Sequence, residues 1–380
     1  MNIQPAQHPE KPMPLGPELR FVDRTKVIFE EKTYVFFGGT DYHRMASHPE
    51  VLRAVREATE SDCLNMSGSR ISTGNHRLYM QLEAKAATFL GADESAICSE
   101  GYLSNAVALE AVSRDFQRFF IDGSAHASLM IAADCLPRDR VHIFLHSDPE
   151  SLRKSLETHL RPSERLLVLT NGVEPADGEL SPLAGYWEAV RNEGGMLIVD
   201  DAHGMGTTGL TGKGSPEEAH LPADSFIQTG TFSKAFGVFG GVVAGRAGLF
   251  SKVVEHSRTF TGSTPLLLPL AAAALRSIEI LQEHPEMITS LRARTLHFRK
   301  RVRAMGLPSC NSPAPVLSVT HRNEAKNQRL RSLLLQNGIY PPFSYYPGCP
   351  PGGHFRFALS SVHTDEEVDR LLDSISLSCD

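Results

Sequence analysis

Cysteine is sparse in this sequence, and its spacing gives no metal-binding or disulfide pattern. Six cysteines occur, far apart and without a C-x-x-C pair: Cys63, Cys98, Cys135, Cys310, Cys349 and Cys379. Cys63 and Cys98 have small or apolar neighbours, which favours reduced thiols in a cytoplasmic protein. The sixteen histidines include no H-E-x-x-H motif, so we expect no metal cofactor.

Three further absences narrow the functional classes. The 38 basic residues are fewer than the 44 acidic ones, so we expect neither nucleic acid nor a membrane surface as a partner. The apolar segment 266–275 is interrupted by Pro269 and is too short to span a membrane, and no signal peptide is recognisable. No G-x-S-x-G motif occurs, which disfavours a serine hydrolase.

Short apolar strands alternate with helical segments along the middle of the chain. The strands are predicted at 119–121, 141–144, 166–170, 196–199 and 241–244. This rhythm predicts an α/β domain built on a mostly parallel sheet. Leu78, Leu82, Ala86 and Phe89 recur at helical spacing and predict one buried helix face.

The ends of the chain predict a division into an arm and two domains. The first sixteen residues hold four prolines and little periodicity, and we assign 1–45 to an N-terminal arm. A large domain is predicted at 46–283, ending in a long helix that stops before Pro285. A smaller C-terminal α/β domain, 284–380, contains predicted strands at 316–319 and 355–359. Its last helix begins with a capping box formed by Thr364 and Glu367.

Three residue types that pyridoxal phosphate (PLP) chemistry requires follow one another in the second half of the chain. The strand at 196–199 is followed at once by Asp200 and, three residues later, by His203. An acid at the carboxyl edge of a parallel sheet lies where ligands of α/β proteins gather. Lys234 follows, flanked by Thr231 and Ser233. A lysine supplies the imine of a PLP enzyme, and an acid keeps the pyridine nitrogen protonated so that the ring accepts electrons.

The order and spacing of several segments resemble the α-oxoamine synthases, from about residue 36 to the C-terminus. These segments are SGSRISTGN at 67–75, SEGYLSN at 99–105, DGSAHAS at 122–128, VDDAHG at 199–204, GTFSK at 230–234 and GGVVAG at 240–245, followed by Arg356 and His363-Thr364. The resemblance implies a fold-type I PLP-dependent transferase. Its large domain would hold a mostly parallel sheet of the seven-stranded type flanked by helices, beside the smaller C-terminal domain.

The resemblance also assigns roles at the cofactor. Asp200 would pair with the pyridine nitrogen, His203 with the phenolic oxygen, and His126 would stack on the ring face opposite Lys234. The phosphate would be bound by backbone and hydroxyl groups, since Gly101 and Tyr102 open a helix. The remaining members of this phosphate set are Thr231, Ser233, Thr261 and Gly262. Thr261 and Gly262 would reach the phosphate of a neighbouring subunit, so the resemblance implies a homodimer with shared active sites.

The substrates implied by the resemblance are a small amino acid and an acyl thioester, joined by a decarboxylative condensation to an α-amino ketone. Arg356 would bind the amino acid carboxylate, because an arginine fork matches a carboxylate, with help from Ser360 and Thr40. L-Alanine is favoured, while glycine or serine, and a CoA or carrier-protein thioester, remain open.

Departures from the family pattern concentrate on the expected substrate walls. Thr40 stands where the family has asparagine, Tyr79 where histidine is common, and Pro175 where serine is usual. The run SYYP at 344–347 replaces an Arg-Pro-Pro run. Together with His43 and the Tyr345-Tyr346 pair, these residues predict altered substrate walls, so that both the amino acid and the acyl chain remain open.

Two other enzyme classes are alternatives to this interpretation of the sequence. Gly204 to Gly209 spell a literal G-x-G-x-x-G with Asp224 twenty residues on, the pattern of a dinucleotide-binding oxidoreductase. That pattern should lie directly between a strand and a helix, but here 200–203 intervene and no helix start follows. A PLP aminotransferase is the second alternative, and the acyl-transfer motifs argue against it.

Overall fold

The computed structural model describes residues 15–345 and 353–379. Its strands are β1 (Arg20–Phe21), β2 (Lys26–Phe29), β3 (Lys32–Val35), β4 (Glu94–Cys98), β5 (Arg118–Asp122), β6 (Val141–Phe144), β7 (Leu166–Asn171), β8 (Met196–Asp200), β9 (Phe226–Thr231), β10 (Gly241–Gly245), β11 (Val316–Val319), β12 (Phe343–Ser344) and β13 (His354–Ala358). The strands predicted from the sequence therefore all form, and their ends agree to within one residue.

The helices of the described residues lie between and around these strands. They are α1 (Pro49–Ser61), α2 (Arg77–Leu90), α3 (Gly101–Val112), α4 (Ala127–Ala133), α5 (Pro149–His159), α6 (Leu183–Val190), α7 (Ser215–Glu218), α8 (Leu249–His256), α9 (Arg258–Gly262), α10 (Leu268–Glu283), α11 (Glu286–Ala304), α12 (Glu324–Gln336) and α13 (Asp365–Cys379). No helix in this part of the chain combines the length and apolar character needed to cross a membrane.

A seven-stranded sheet forms the centre of the molecule, in the order β4-β10-β9-β8-β7-β5-β6. The neighbours from β9 through β6 pair in parallel. β10 runs against both of its neighbours. The sheet is therefore mostly parallel, as the alternation of strands and helices predicts, and the carboxyl ends of β5, β7, β8 and β9 meet at one edge.

The central strands are apolar along their whole length because both faces of the sheet are covered. Leu167, Val168 and Leu169 of β7 are completely buried, and successive residues face different core clusters. Burial of both faces explains why parallel strands read as continuous apolar runs rather than as an alternation. The predicted helix face also forms, since Leu82, Ala86 and Phe89 of α2 lie in the main core.

The N-terminal segment packs against the C-terminal part of the chain. β1, β2 and β3 form a small antiparallel sheet. β3 continues into a bridge between Val35 and Ile339. The amide of Ala358, in β13, donates to the carbonyl of Phe37 at 2.6 Å. One core cluster contains Phe37, Leu82, Phe232 and Phe357. Residues from both predicted domains thus share one core, and the boundaries at 45 and 283 stay a prediction.

The final helix begins as predicted. The backbone N–H of Glu367 donates to the Thr364 hydroxyl at 3.2 Å, and the N–H of Thr364 donates to the Glu367 carboxylate at 3.0 Å. This reciprocal pair is the predicted capping box. The four prolines at the start of the predicted N-terminal arm lie outside the described residues, as do Tyr346, Pro347 and Asp380.

Candidate active site

A cavity of about 430 Å³ opens at the carboxyl edge of the central sheet. Its lining includes these residues predicted from the sequence: Thr40, Gly101, Tyr102, His126, Asp200, His203, Thr231, Ser233, Lys234 and Arg356. They come from six separate stretches of the chain. Parallel strands bring their carboxyl ends to one edge, and this places the strand-end and loop residues of distant motifs in one cavity.

Three predicted site residues do not line this cavity. Thr261 lies in the short helix α9, and its hydroxyl donates to the Ser257 carbonyl at 2.9 Å. Gly262 follows it and is exposed. Ser360 is buried with its backbone N–H donating to Nδ1 of His363 at 2.9 Å. Ser360 therefore has no contact with the cavity that would support substrate binding.

Asp200 is the last residue of β8, and two donors fix its carboxylate. The Asn105 amide donates to Oδ2 at 2.7 Å, and the backbone N–H of Ala202 donates to Oδ1 at 3.2 Å. Asn105 is itself fixed, because Thr229 donates to its oxygen at 2.5 Å. The acid of the site is thus held in one orientation by a side chain from α3 and a side chain from the next strand, β9.

The same amide connects Asp200 to His126. Asn105 also donates to the Ser128 hydroxyl at 2.8 Å, and Ser128 Oγ lies 2.7 Å from Nδ1 of His126. The backbone N–H of His126 donates to Asn171, the last residue of β7, at 2.9 Å. Burial lowers the pKa of His126, and the Lys234 charge acts in the same direction while Asp200 opposes it. A neutral imidazole is therefore held over the cavity.

His203 is buried and neutral. Its Nδ1 lies 2.7 Å from the Tyr42 hydroxyl. Burial lowers the pKa of His203 well below its ordinary value, and the charges of Lys234 and Arg356 and the His126 ring lower it further. This imidazole donates or accepts hydrogen bonds at neutral pH without carrying a charge.

Lys234 lies in the turn that follows β9. Burial lowers its pKa from 10.5 to about 8; Asp200 opposes this shift, and Arg356 adds to it. No hydrogen-bond or ion-pair partner of its amine lies among the described residues. A lysine with a lowered pKa has a substantial neutral fraction near neutral pH, and the neutral amine is the nucleophile that forms an imine.

The start of α3 meets the end of β9 closely enough to form an anion cradle. A Cβ atom at Gly101 would lie 2.4 Å from the Thr231 side chain, so only glycine fits. The hydroxyls of Thr231 and Ser233 are 2.7 Å apart, and Thr231 donates to the Gly240 carbonyl at 3.0 Å. Backbone N–H groups at a helix start, together with hydroxyls, are the groups that bind a phosphate.

The donor groups of the cavity fit PLP. An amine for the imine, an acid for the pyridine nitrogen and a helix start for the phosphate line one cavity, together with the neutral imidazoles of His126 and His203. On the central sheet described above, this set defines a fold-type I PLP-dependent enzyme.

Similarity to known proteins identifies the family. The aminotransferase class I and II family matches residues 32–375. The 8-amino-7-oxononanoate synthases of Symbiobacterium thermophilum and Stutzerimonas stutzeri are 30% and 31% identical to this chain; the alignments cover 93% and 96% of this chain and 91% and 90% of those proteins. A serine palmitoyltransferase structure from Sphingomonas wittichii superposes with a TM-score of 0.85 at 25% identity, covering 94% of this chain and 90% of that one. The chain belongs to the class I and II aminotransferase family and, within it, to the α-oxoamine synthases.

The substrate end of the cavity is built around Arg356 on β13. Its Nε donates to the Pro175 carbonyl at 2.8 Å, and Nη1 lies 3.5 Å from the Gly39 carbonyl. Thr40, Pro175 and Ser344 line the same end. The family departures at these three positions therefore do lie on the cavity wall.

Other predicted wall residues lie elsewhere. The prediction that His43 contributes to the wall is wrong: it is completely buried, and its Nε2 donates to the Gly206 carbonyl at 2.7 Å. Burial lowers the pKa of His43 to about 4. Tyr79 is buried away from the cavity, with its hydroxyl donating to the Leu266 carbonyl at 2.5 Å. Tyr345 is exposed and does not line the cavity.

The glycine motif at 204–209 is not a dinucleotide site. It lies in a loop after β8 that leads only to α7, a helix of four residues. Asp201 holds this loop, because its carboxylate accepts hydrogen bonds from the backbone and hydroxyl of Ser215 and from Gln228. The loop therefore packs against the end of β8 and does not form the phosphate-binding turn at the start of a long helix that a dinucleotide site requires.

Sequence reasoning missed three residues that organise the site. Asn105 lies one helical turn after Gly101 and therefore on the same face of α3. A polar residue at this position could have indicated a role in the site. Asn171 ends β7 as Asp200 ends β8, and the two are partners in the sheet register. Tyr42 gave no such signal, because only the tertiary fold brings it to His203.

Proposed function

We propose that this protein catalyses a PLP-dependent condensation of a small amino acid with an acyl thioester, giving an α-amino ketone, carbon dioxide and the free thiol. One observation carries the proposal: the guanidinium of Arg356 and the amine of Lys234 line the same cavity, beside the groups that fit the cofactor. A fork for a carboxylate next to an imine-forming lysine is what an amino acid substrate requires.

Asp200 would hold a proton on the pyridine nitrogen, His203 would donate to the phenolic oxygen, and His126 would cover one ring face. Gly101, Tyr102, Thr231 and Ser233 would bind the phosphate. Bound PLP would supply an electron sink for the substrate Cα.

The roles at the substrate follow from the positions of two side chains. Arg356 would bind the amino acid carboxylate through the guanidinium nitrogens that do not contact Pro175. Lys234 would take the Cα proton, since its pKa near 8 allows an amine both to accept and to return a proton at neutral pH. Thr40, Pro175 and Ser344 would contact the substrates from the facing wall.

L-Alanine and a pimeloyl thioester are the substrates we propose first, because the curated relatives named above are 8-amino-7-oxononanoate synthases. The structural similarity to serine palmitoyltransferase supports serine as the second candidate, with a longer acyl chain. Glycine is the third. The altered wall residues Thr40, Pro175 and Ser344 would decide among them.

The cofactor assignment is tested by covalent trapping. The purified protein should be yellow with PLP, and reduction with borohydride should leave the cofactor attached to a peptide that contains Lys234. Lys234→Ala should give no labelled peptide and lose about four orders of magnitude in turnover, because it removes both nucleophile and base. A colourless protein that binds NAD instead would refute the assignment.

The reaction is tested by products. Alanine, glycine and serine are each incubated with a panel of acyl-CoAs and acyl-carrier thioesters, and thiol and carbon dioxide are followed together. Equal release of both supports the decarboxylative condensation. Thiol without carbon dioxide would contradict it, and pyruvate formed from alanine would favour an aminotransferase.

We further propose that the protein is a cytoplasmic homodimer in which Thr261 and Gly262 complete the phosphate site of the other subunit. Both lie outside this chain's own cavity, and the apolar Phe239, which lines that cavity, is exposed. Sedimentation should give a dimer. Gly262→Asp should weaken PLP binding without altering the cavity of its own chain, and a monomer with full activity would refute the shared site.

A further inference from the structure

The hydroxyl of Tyr42 is the only described partner of Nδ1 of His203. The two atoms are 2.7 Å apart, and the exposed surface of Tyr42 is 0%. Burial raises the pKa of Tyr42 to about 12, while the charge of Arg356 acts in the opposite direction. The hydroxyl thus lies between a cation and an imidazole, shielded from water.

The direction of the hydrogen bond follows from its two neighbours. Among the described residues the Tyr42 hydroxyl has Nδ1 of His203 as its one hydrogen-bond partner, and the nearby Arg356 guanidinium can only donate, so it offers no acceptor for the hydroxyl proton. The single hydroxyl proton of Tyr42 then points to the other neighbour, Nδ1 of His203. That nitrogen must be unprotonated to accept it.

His203 has a neutral ring, because burial and the charges of Lys234 and Arg356 that face it lower its pKa. A neutral imidazole carries one proton, and with Nδ1 accepting, the proton is on Nε2. Within the described residues Nε2 has no hydrogen-bond partner, and His203 lines the cavity.

We infer that Tyr42 is a positioning residue that fixes His203 as the Nε2–H tautomer and so presents a permanent donor to an anionic oxygen bound in the cavity. This inference rests on the proposed function for the identity of that oxygen, the phenolic oxygen of PLP. The opposite tautomer would present a lone pair and repel the same oxygen.

The chain on both sides of Tyr42 is anchored, which keeps the hydroxyl in place. The Asp41 carboxylate accepts from the backbone N–H groups of Met45 at 2.8 Å and Ala46 at 3.0 Å. On the other side, His43 donates to Gly206, in the same loop that carries His203. Tyr42 and His43 therefore each form a hydrogen bond to the loop after β8 and hold it at two points.

The test is nitrogen NMR of the protein freed of PLP, labelled with ¹⁵N-histidine, with the His203 signals assigned from the spectrum of His203→Gln. The native protein should show a protonated Nε2 and an unprotonated Nδ1 at neutral pH. In Tyr42→Phe the two shifts should move towards each other as both tautomers become populated. Tyr79→Phe is the matched control, since it also loses one buried hydroxyl, far from His203, and should leave both shifts unchanged.

A second measurement reports on function. The dissociation constant for PLP should rise about 2- to 10-fold in Tyr42→Phe, the effect of one hydrogen bond, and stay unchanged in Tyr79→Phe. A protonated Nδ1 in the native protein would overturn the inference, and so would unchanged shifts in Tyr42→Phe. The tautomer is measured without cofactor, so this failure is distinct from a failure of borohydride to label Lys234, which would overturn the proposed function instead.

Discussion

The two ends of the cavity are built by different kinds of contact. At the cofactor end, side chains bind side chains: Asn105 joins Thr229, Asp200 and Ser128 in one network. At the substrate end, Arg356 contacts main-chain carbonyls instead, those of Pro175 and Gly39. The first end depends on the identity of every member, while the second depends on the path of the backbone.

This difference explains where the sequence departs from its family. A carbonyl group is present whatever the side chain, so the anchor of Arg356 survives when Pro175 stands in place of serine. A side-chain network has no such tolerance, because removing one member leaves a buried polar group without its partner. Departures are therefore expected at the substrate end, and Thr40, Pro175 and Ser344 lie there.

The largest effect is expected at the cofactor end. Asp200→Asn should retain PLP but lose about 100- to 1000-fold in turnover, because a neutral amide does not stabilise the protonated ring nitrogen as a carboxylate does. Steady-state rates with saturating substrates measure this loss. Asn105→Ala should move turnover in the same direction by less, since it leaves the acid in place and removes only its support.

Asp201→Asn is the matched control for the charge. Asp201 is completely buried one residue away, and its carboxylate accepts from Ser215 and Gln228 rather than facing the cavity. We expect a lower melting temperature, because an amide nitrogen would meet donors there, with turnover of the folded enzyme preserved. Equal losses of turnover in Asp200→Asn and Asp201→Asn would contradict this prediction. They would mean that removing any carboxylate from this strand end lowers turnover, whether or not it contacts the cofactor.

The substrate end should respond in binding rather than turnover. Arg356→Lys should raise KM for the amino acid about 10- to 100-fold, because lysine keeps the charge but loses the fork. KM for the thioester should stay within about twofold, since only the carboxylate contact is removed. An equal rise in both constants would place the carboxylate site elsewhere.

The cofactor end of the cavity could be predicted from the sequence more completely than the substrate end. Asp200, Thr231 and Lys234 are predictable, because apolar runs locate the strands and the strand ends meet at one edge. Tyr42 and His203 are 161 residues apart, and Arg356 and Pro175 are 181 apart. Such pairs depend on how loops cross the sheet edge, which no local pattern encodes. The same limit explains why His43 was wrongly assigned to the wall beside its neighbour Thr40.

The pKa of Lys234 predicts how the free protein takes up PLP. Its pKa is lowered to about 8, mainly by burial. The neutral amine forms above the pKa, so the capture rate should rise about tenfold between pH 7 and pH 9 and then level off, instead of rising further towards pH 10. Stopped-flow absorbance measures this profile. A rate that still climbs above pH 9.5 would show an ordinary, solvated lysine.

The smallest effect is expected where the sequence departs from its family. Pro175→Ser restores the usual family residue and keeps the carbonyl that accepts from Arg356 at 2.8 Å. PLP binding and KM for the amino acid should therefore change less than about twofold. The new hydroxyl and N–H face the cavity, so the preference among acyl chains should shift by a few fold, measured as kcat/KM ratios over the thioester panel. A loss of PLP binding in this variant would break the division between the two ends, because it would show that a wall residue of the substrate end also organises the cofactor.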